Sequence, residues 1–100
     1  MKNGYKVVWT NRALTDLDVI LAYLAEKWSD KEVTDFVRKL DKRLQLISHR
    51  PLLYPSTPAR KNVRRSVLTE QTTIYYRISK SAIEVLTLFD NRQSPSKVKV

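Results

Sequence analysis

Two apolar stripes of helical spacing, divided by four polar residues, leave the first half of this 100-residue chain little choice of fold. Leu14, Leu17, Leu21, Leu24 and Trp28 recur at steps of three and four, and Ala13, Ile20 and Ala25 widen the stripe. Val33, Phe36, Val37, Leu40, Leu44 and Ile47 form a second stripe. Between them, Ser29-Asp30-Lys31-Glu32 is a Ser-x-x-Glu capping box that stops one helix and starts the next. Two helices joined by so short a turn run antiparallel as a hairpin. Thr10 or Asn11 is placed to cap the first. Pro51 ends the second, because the residue before a proline avoids helical angles. On this reading Trp9 and Trp28 belong to the core.

The rest of the chain is written in period two. Tyr5-Lys6-Val7-Val8-Trp9 reads as a short opening strand. Residues 51–62 hold three of the four prolines and read as an ordered surface loop. Three strands follow, over 63–68, 72–79 and 82–89, with connections Thr69–Gln71 and Lys80–Ser81 that suit antiparallel hairpins. The last is apolar on both faces, with Ile83, Val85 and Phe89 on one and Leu86 and Leu88 on the other, which places it centrally. The expectation is an α+β fold of order β-α-α-β-β-β: a short N-terminal strand, a helical hairpin and a three-stranded antiparallel meander. One domain is expected over 1–90, followed by a mobile tail over 91–100.

Charge is the second constraint. The net charge is +9. Residues 1–50 carry ten basic and seven acidic side chains, whereas residues 51–100 carry nine and three, so the excess lies in the sheet half. Such a surface meets something anionic, a phosphate backbone or an acidic protein. There is no cysteine, one histidine and one glycine, which removes disulfides, thiol nucleophiles, zinc clusters and glycine-rich phosphate loops. No metal and no cofactor is expected. No apolar run reaches the roughly 18 residues of a membrane span and no signal region opens the chain. A soluble cytoplasmic protein without a membrane partner is the expectation.

Four cations, Arg60, Lys61, Arg64 and Arg65, crowd the start of the second strand. Arginine suits phosphate because its planar fork donates two parallel hydrogen bonds; the same charges also guard an edge strand against aggregation. Alternation puts Ile74, Tyr76 and Ile78 on one face and Tyr75, Arg77 and Ser79 on the other. The first set reads as core. Tyr75 beside Arg77 could stack on a base and hold its phosphate, or be a cross-strand pair. Glu84 reads as an ion-pair partner for Arg77 rather than a base. Arg92, after the last strand, is aimed either at a ligand or at Asp90. His49 complements the C-terminal dipole of the second helix.

These motifs, in this order, resemble the RelE/ParE superfamily of type II toxin–antitoxin toxins over about 90 residues. Thr10-Asn11-Arg12-Ala13-Leu14 to Asp16-Leu17 is similar to the start of the family's first helix. Val63-Arg64-Arg65 ahead of Ile74-Tyr75-Tyr76-Arg77-Ile78 resembles its arginine and tyrosine strands, and Ile83 to Asp90 with Arg92 its last strand and trailing arginine. The resemblance implies a RelE/ParE-like fold and a toxin neutralised by a cognate antitoxin, acidic where it wraps the toxin. It implies one of two targets: mRNA on the ribosome, cleaved, or DNA gyrase, poisoned. Cleavage by the ribose 2′-hydroxyl needs a base, an acid and cations around the phosphorane. Arg64, Arg77 and Arg92 are the catalytic candidates, with Arg60, Lys61, Arg65 and Tyr75 binding nucleic acid or another target. RelE-like nucleases often carry a tyrosine or a histidine–tyrosine pair near the C-terminus; Gln93 to Val100 contains neither. A degenerate relative that only binds its partner is the third reading.

Overall fold

The computed structural model describes residues 4–58, 60, 62–93 and 97. The elements are β1 (Lys6–Trp9), α1 (Asn11–Lys27), α2 (Asp30–His49), β2 (Val63–Val67), β3 (Thr72–Ser79) and β4 (Ala82–Asp90). Both helix starts follow from capping chemistry. The Thr10 hydroxyl accepts from the Ala13 N–H, and the Ser29 hydroxyl from the Glu32 N–H. Each satisfies a backbone donor that the first helical turn leaves without a partner. Of the expected mobile tail, residues 94–96 and 98–100 lie outside the described residues.

The four strands form one sheet of order β1-β4-β3-β2. β2–β3 and β3–β4 are antiparallel, as the two short connections require. β1 lies parallel to β4, from Lys6 beside Ala82 to Trp9 beside Val85. The sheet is therefore mixed, and β4 is interior to it. The helical hairpin supplies the crossover that a parallel pair needs.

The hairpin covers one face. Phe36, Leu40, Leu44 and Ile47 of α2 pack with Ala13 of α1 and with Ile74, Tyr76, Ile83, Val85 and Leu88 of the sheet. Tyr76 is fully buried, and burial pushes its hydroxyl pKa up to about 12. That hydroxyl donates to the Pro51 carbonyl at 2.7 Å. Tyr76→Phe would leave this buried carbonyl without its donor. A loss of about 1–2 kcal/mol is expected in urea unfolding; an unchanged midpoint would mean that the bond carries no net stability.

On the face away from the helices lies a smaller cluster, Val63, Tyr75 and Phe89, with Leu86 against it. Leu86 gets there through a β-bulge. Tyr75 stands opposite Thr87 but Tyr76 stands opposite Val85, so β4 carries one extra residue. The N-terminal part of α1 grips this bulge from both sides. The Thr10 hydroxyl lies within hydrogen-bond range of the Val85 and Leu86 carbonyls, at 2.9 and 3.1 Å. The Asp16 carboxylate accepts from the Thr87 hydroxyl and from the Leu88 N–H at 3.1 Å.

The core expectation holds for α1 at Ala13, Leu17, Ile20, Leu21 and Leu24, which join or pack against the main cluster, and fails at Leu14 and Trp28. Trp28 is 65% exposed and Leu14 45%, while Ala13 is the residue wholly buried. Trp28 follows the last helical turn, where its side chain no longer meets the sheet. Trp9 is half-buried, packed at the rim of the main cluster.

Candidate functional site

The candidate arginines do not gather in one place. Paired residues share a face, so Arg64, beside Tyr76, and Arg65, beside Tyr75, point to opposite sides of β2. Arg64 is half-buried and donates to the Tyr54 carbonyl at 2.6 Å. Arg77 pairs with Glu84 across β3 and β4, Nη2 to Oε1 at 2.7 Å and Nε to Oε1 at 2.8 Å. Arg92 closes on Asp90 two residues back, with Nη2 at 2.8 Å and Nε at 3.0 Å from the carboxylate. Hydrogen bonds from Arg92 hold the Asp90 carboxyl below its ordinary pKa. Arg65 is exposed, and its guanidinium has no partner among the described residues. Arg60 is exposed, and Lys61 lies outside the described residues.

Tyr75 sits on the helix-free face, yet it is 7% exposed. Its ring meets Phe89 edge-on, centroids 6.2 Å apart, and is closed off as a platform for a base. Of the two readings of Tyr75, a stacking platform or a cross-strand pair, the first has little open ring to use. His49 is exposed, its Nδ1 2.9 Å from the Gln45 carbonyl at the end of α2. Among the described residues no group of histidine and carboxylate side chains could hold a metal ion, and no helix is long and apolar enough to cross a membrane.

Among the described residues two clefts stand out. The first, about 570 Å³, runs along α1 from Arg12 to its Trp28 cap, the N-terminal half of α2 and the end of β4. Its exposed apolar side chains are Val19, Tyr23 and Trp28, set among Arg12, Lys39 and Arg92 and among Glu32, Asp35 and Asp90. The second, about 640 Å³, wraps the β2 edge and is lined by Arg43, Tyr54, Arg65, Tyr75 and Asn91, among others. Arg43 was not among the expected site residues. Its Nη1 reaches Ser66 Oγ at 2.6 Å and the Val67 carbonyl at 2.8 Å, and its guanidinium lies 5.5 Å from the Tyr54 ring centroid. Its place in the α2 stripe pattern carries no sign of this reach across to β2. Arg64 and Arg77 line neither cleft.

The architecture is an antiparallel helical hairpin on a mixed four-stranded sheet. It is similar to the structure described as a chromosomal ParDE toxin–antitoxin system from P. aeruginosa, at 16% identity, TM-score 0.73, covering 89% of this chain and 98% of that one. It is similar to a YoeB/ParE toxin from Agrobacterium tumefaciens at 17% identity and TM-score 0.65, covering 86% and 98%. A chain of the E. coli DinJ-YafQ toxin–antitoxin complex matches at 10% identity and TM-score 0.62, covering 89% and 94%. At these identities the likeness is one of fold. A search of curated proteins finds no match. The family model for the ParE toxin of type II toxin–antitoxin system, parDE, matches residues 7–95. The chain belongs to this ParE toxin family.

Proposed function

We propose that the protein is a growth-inhibiting toxin that acts by binding and poisoning DNA gyrase, and that a cognate antitoxin neutralises it by seating a segment in the α1–α2–β4 cleft. The observation that carries the target is the separate engagement of the catalytic candidates. Arg64 is bound to a carbonyl, Arg77 to Glu84 and Arg92 to Asp90, on different faces and elements. A phosphorane needs its cations converging on one point and free to bind. These three do neither. The ParE branch of the superfamily resemblance, rather than the RelE branch, supplies gyrase as the target.

The cleft supports the antitoxin. Val19, Tyr23 and Trp28 are 64%, 44% and 65% exposed, a contiguous apolar lining rimmed by charges of both signs. That is the anatomy of a protein-binding groove. An amphipathic segment fits it by laying apolar anchors against the aromatic side chains.

The test is induction of the free chain in cells with mRNA ends mapped by primer extension. Growth should stop with messages intact. Codon-spaced cuts abolished by Arg92→Ala would establish the nuclease reading instead. Normal growth without antitoxin would identify a partner-binding relative with no toxicity.

A further inference from the structure

We infer that Leu52 and Leu53 form a rigid apolar knob by which the protein engages an acid-rimmed apolar pocket on its protein target. This rests on the gyrase reading above and names the surface that serves it. Leu52 is 69% exposed and Leu53 49%. Loops that carry such side chains are commonly mobile. This one is pinned from beneath on both sides of the leucine pair. The buried Tyr76 hydroxyl holds the Pro51 carbonyl at 2.7 Å, and Arg64 holds the Tyr54 carbonyl at 2.6 Å. The Leu53 N–H closes a turn onto the Arg50 carbonyl at 3.1 Å. Apolar side chains presented on a fixed backbone lose little freedom when they bind, which favours their use as anchors.

Charge selects the partner. From Lys42 to Thr69 the chain has no acidic residue, and it carries seven cations there: Lys42, Arg43, Arg50, Arg60, Lys61, Arg64 and Arg65. The knob stands in the middle of this stretch, next to the exposed Arg50. A second copy of the chain would bring the same cations against it, which opposes self-association here. A phosphate backbone complements the charge but gives two leucines no pocket. An anionic bilayer would accept both, yet a single long acyl chain holds a protein to a membrane only marginally, and two leucine side chains bury less. A protein pocket with carboxylates around an apolar floor satisfies the leucines and the arginines together. The knob shares no residue with the first cleft.

The probe is purified DNA gyrase with supercoiled plasmid, titrated with the full chain. The Leu52→Ser/Leu53→Ser variant removes mainly exposed apolar surface, so its melting temperature should stay near that of the parent. Its affinity for gyrase should fall at least about tenfold, with a matching loss of trapped cleavage complexes. Arg50→Glu should weaken binding too, and it carries the test alone should the double variant fail to fold. A parent protein that does not bind gyrase removes the target reading itself. Parent and both variants binding gyrase equally well overturns the knob and leaves that reading standing. Retention of the parent, but not the double variant, on phosphatidylglycerol vesicles would reassign the leucines to a membrane and overturn the inference as well.

Discussion

Trp28→Ala weakens antitoxin binding by ~2–4 kcal/mol, or roughly 30- to 1000-fold, while leaving the fold intact. Both halves follow from the position of one side chain. Trp28 is 65% exposed, so its removal takes almost nothing from the core, and such surface changes usually stay within about 0.5 kcal/mol. In the α1–α2–β4 cleft it is the largest apolar surface available, with Tyr23 and Val19 as neighbours in the lining. Exposed tryptophans in such a groove are the usual energetic centres of protein contacts. Calorimetric titration with the antitoxin reads the first half and thermal melting the second. Unchanged affinity would show that the antitoxin sits elsewhere. A large fall in melting temperature would show that Trp28 packs after all.

Asp16→Ala has the largest expected effect on stability. Asp16 lies on α1, yet its carboxylate serves β4, 71 and 72 residues away in sequence, by accepting from the Thr87 hydroxyl and the Leu88 N–H. Arg12, one turn back, stands 4.0 Å from the same oxygen. The bulge at Leu86 disturbs the regular ladder, and Asp16 gives this part of the strand its side-chain acceptor. Hydrogen bonds to a charged group contribute about 1.5–3 kcal/mol each, and donors left unpaired add a desolvation cost. A loss of about 2–4 kcal/mol is expected, which in a domain of this size lowers the melting temperature by roughly 10–20 °C. Asp16→Asn keeps an acceptor and should lose about 1 kcal/mol. Equal melting of all three proteins would mean that the bulge is held by the ladder and Thr10 alone.

The helices were legible because their signals are local. Thr10 and Ser29 cap where a capping residue belongs, and Phe36, Leu40, Leu44 and Ile47 are buried at the helical period. Period-two alternation also sorted β3, with Ile74 and Tyr76 under the helices and Tyr75 on the far side. The Arg77–Glu84 pair was legible from neighbouring strands. What escaped was non-local. No pattern within Lys6–Trp9 says that it lies parallel to β4, since register between distant strands is set by the assembled sheet. An apolar stripe cannot show where its partner surface ends, so Trp28 was assigned to a core that stops short of it. The contact from Asp16 to Thr87 and the reach of Arg43 to β2 depend on how α1 and α2 lie on the sheet. For the site, residue type pointed to arginines, but whether each guanidinium is free depends on tertiary neighbours. Arg92 closes on Asp90, and only Arg65 stands open among the four candidates Arg64, Arg65, Arg77 and Arg92.

The most direct measurement combines the purified protein with DNA gyrase, ATP and supercoiled plasmid, and in parallel with translating ribosomes carrying a defined message. A gyrase-directed toxin yields protein-linked DNA breaks that rise with toxin concentration and vanish when antitoxin is added, while the message stays full length. Codon-spaced cleavage of the message with gyrase unaffected would contradict it.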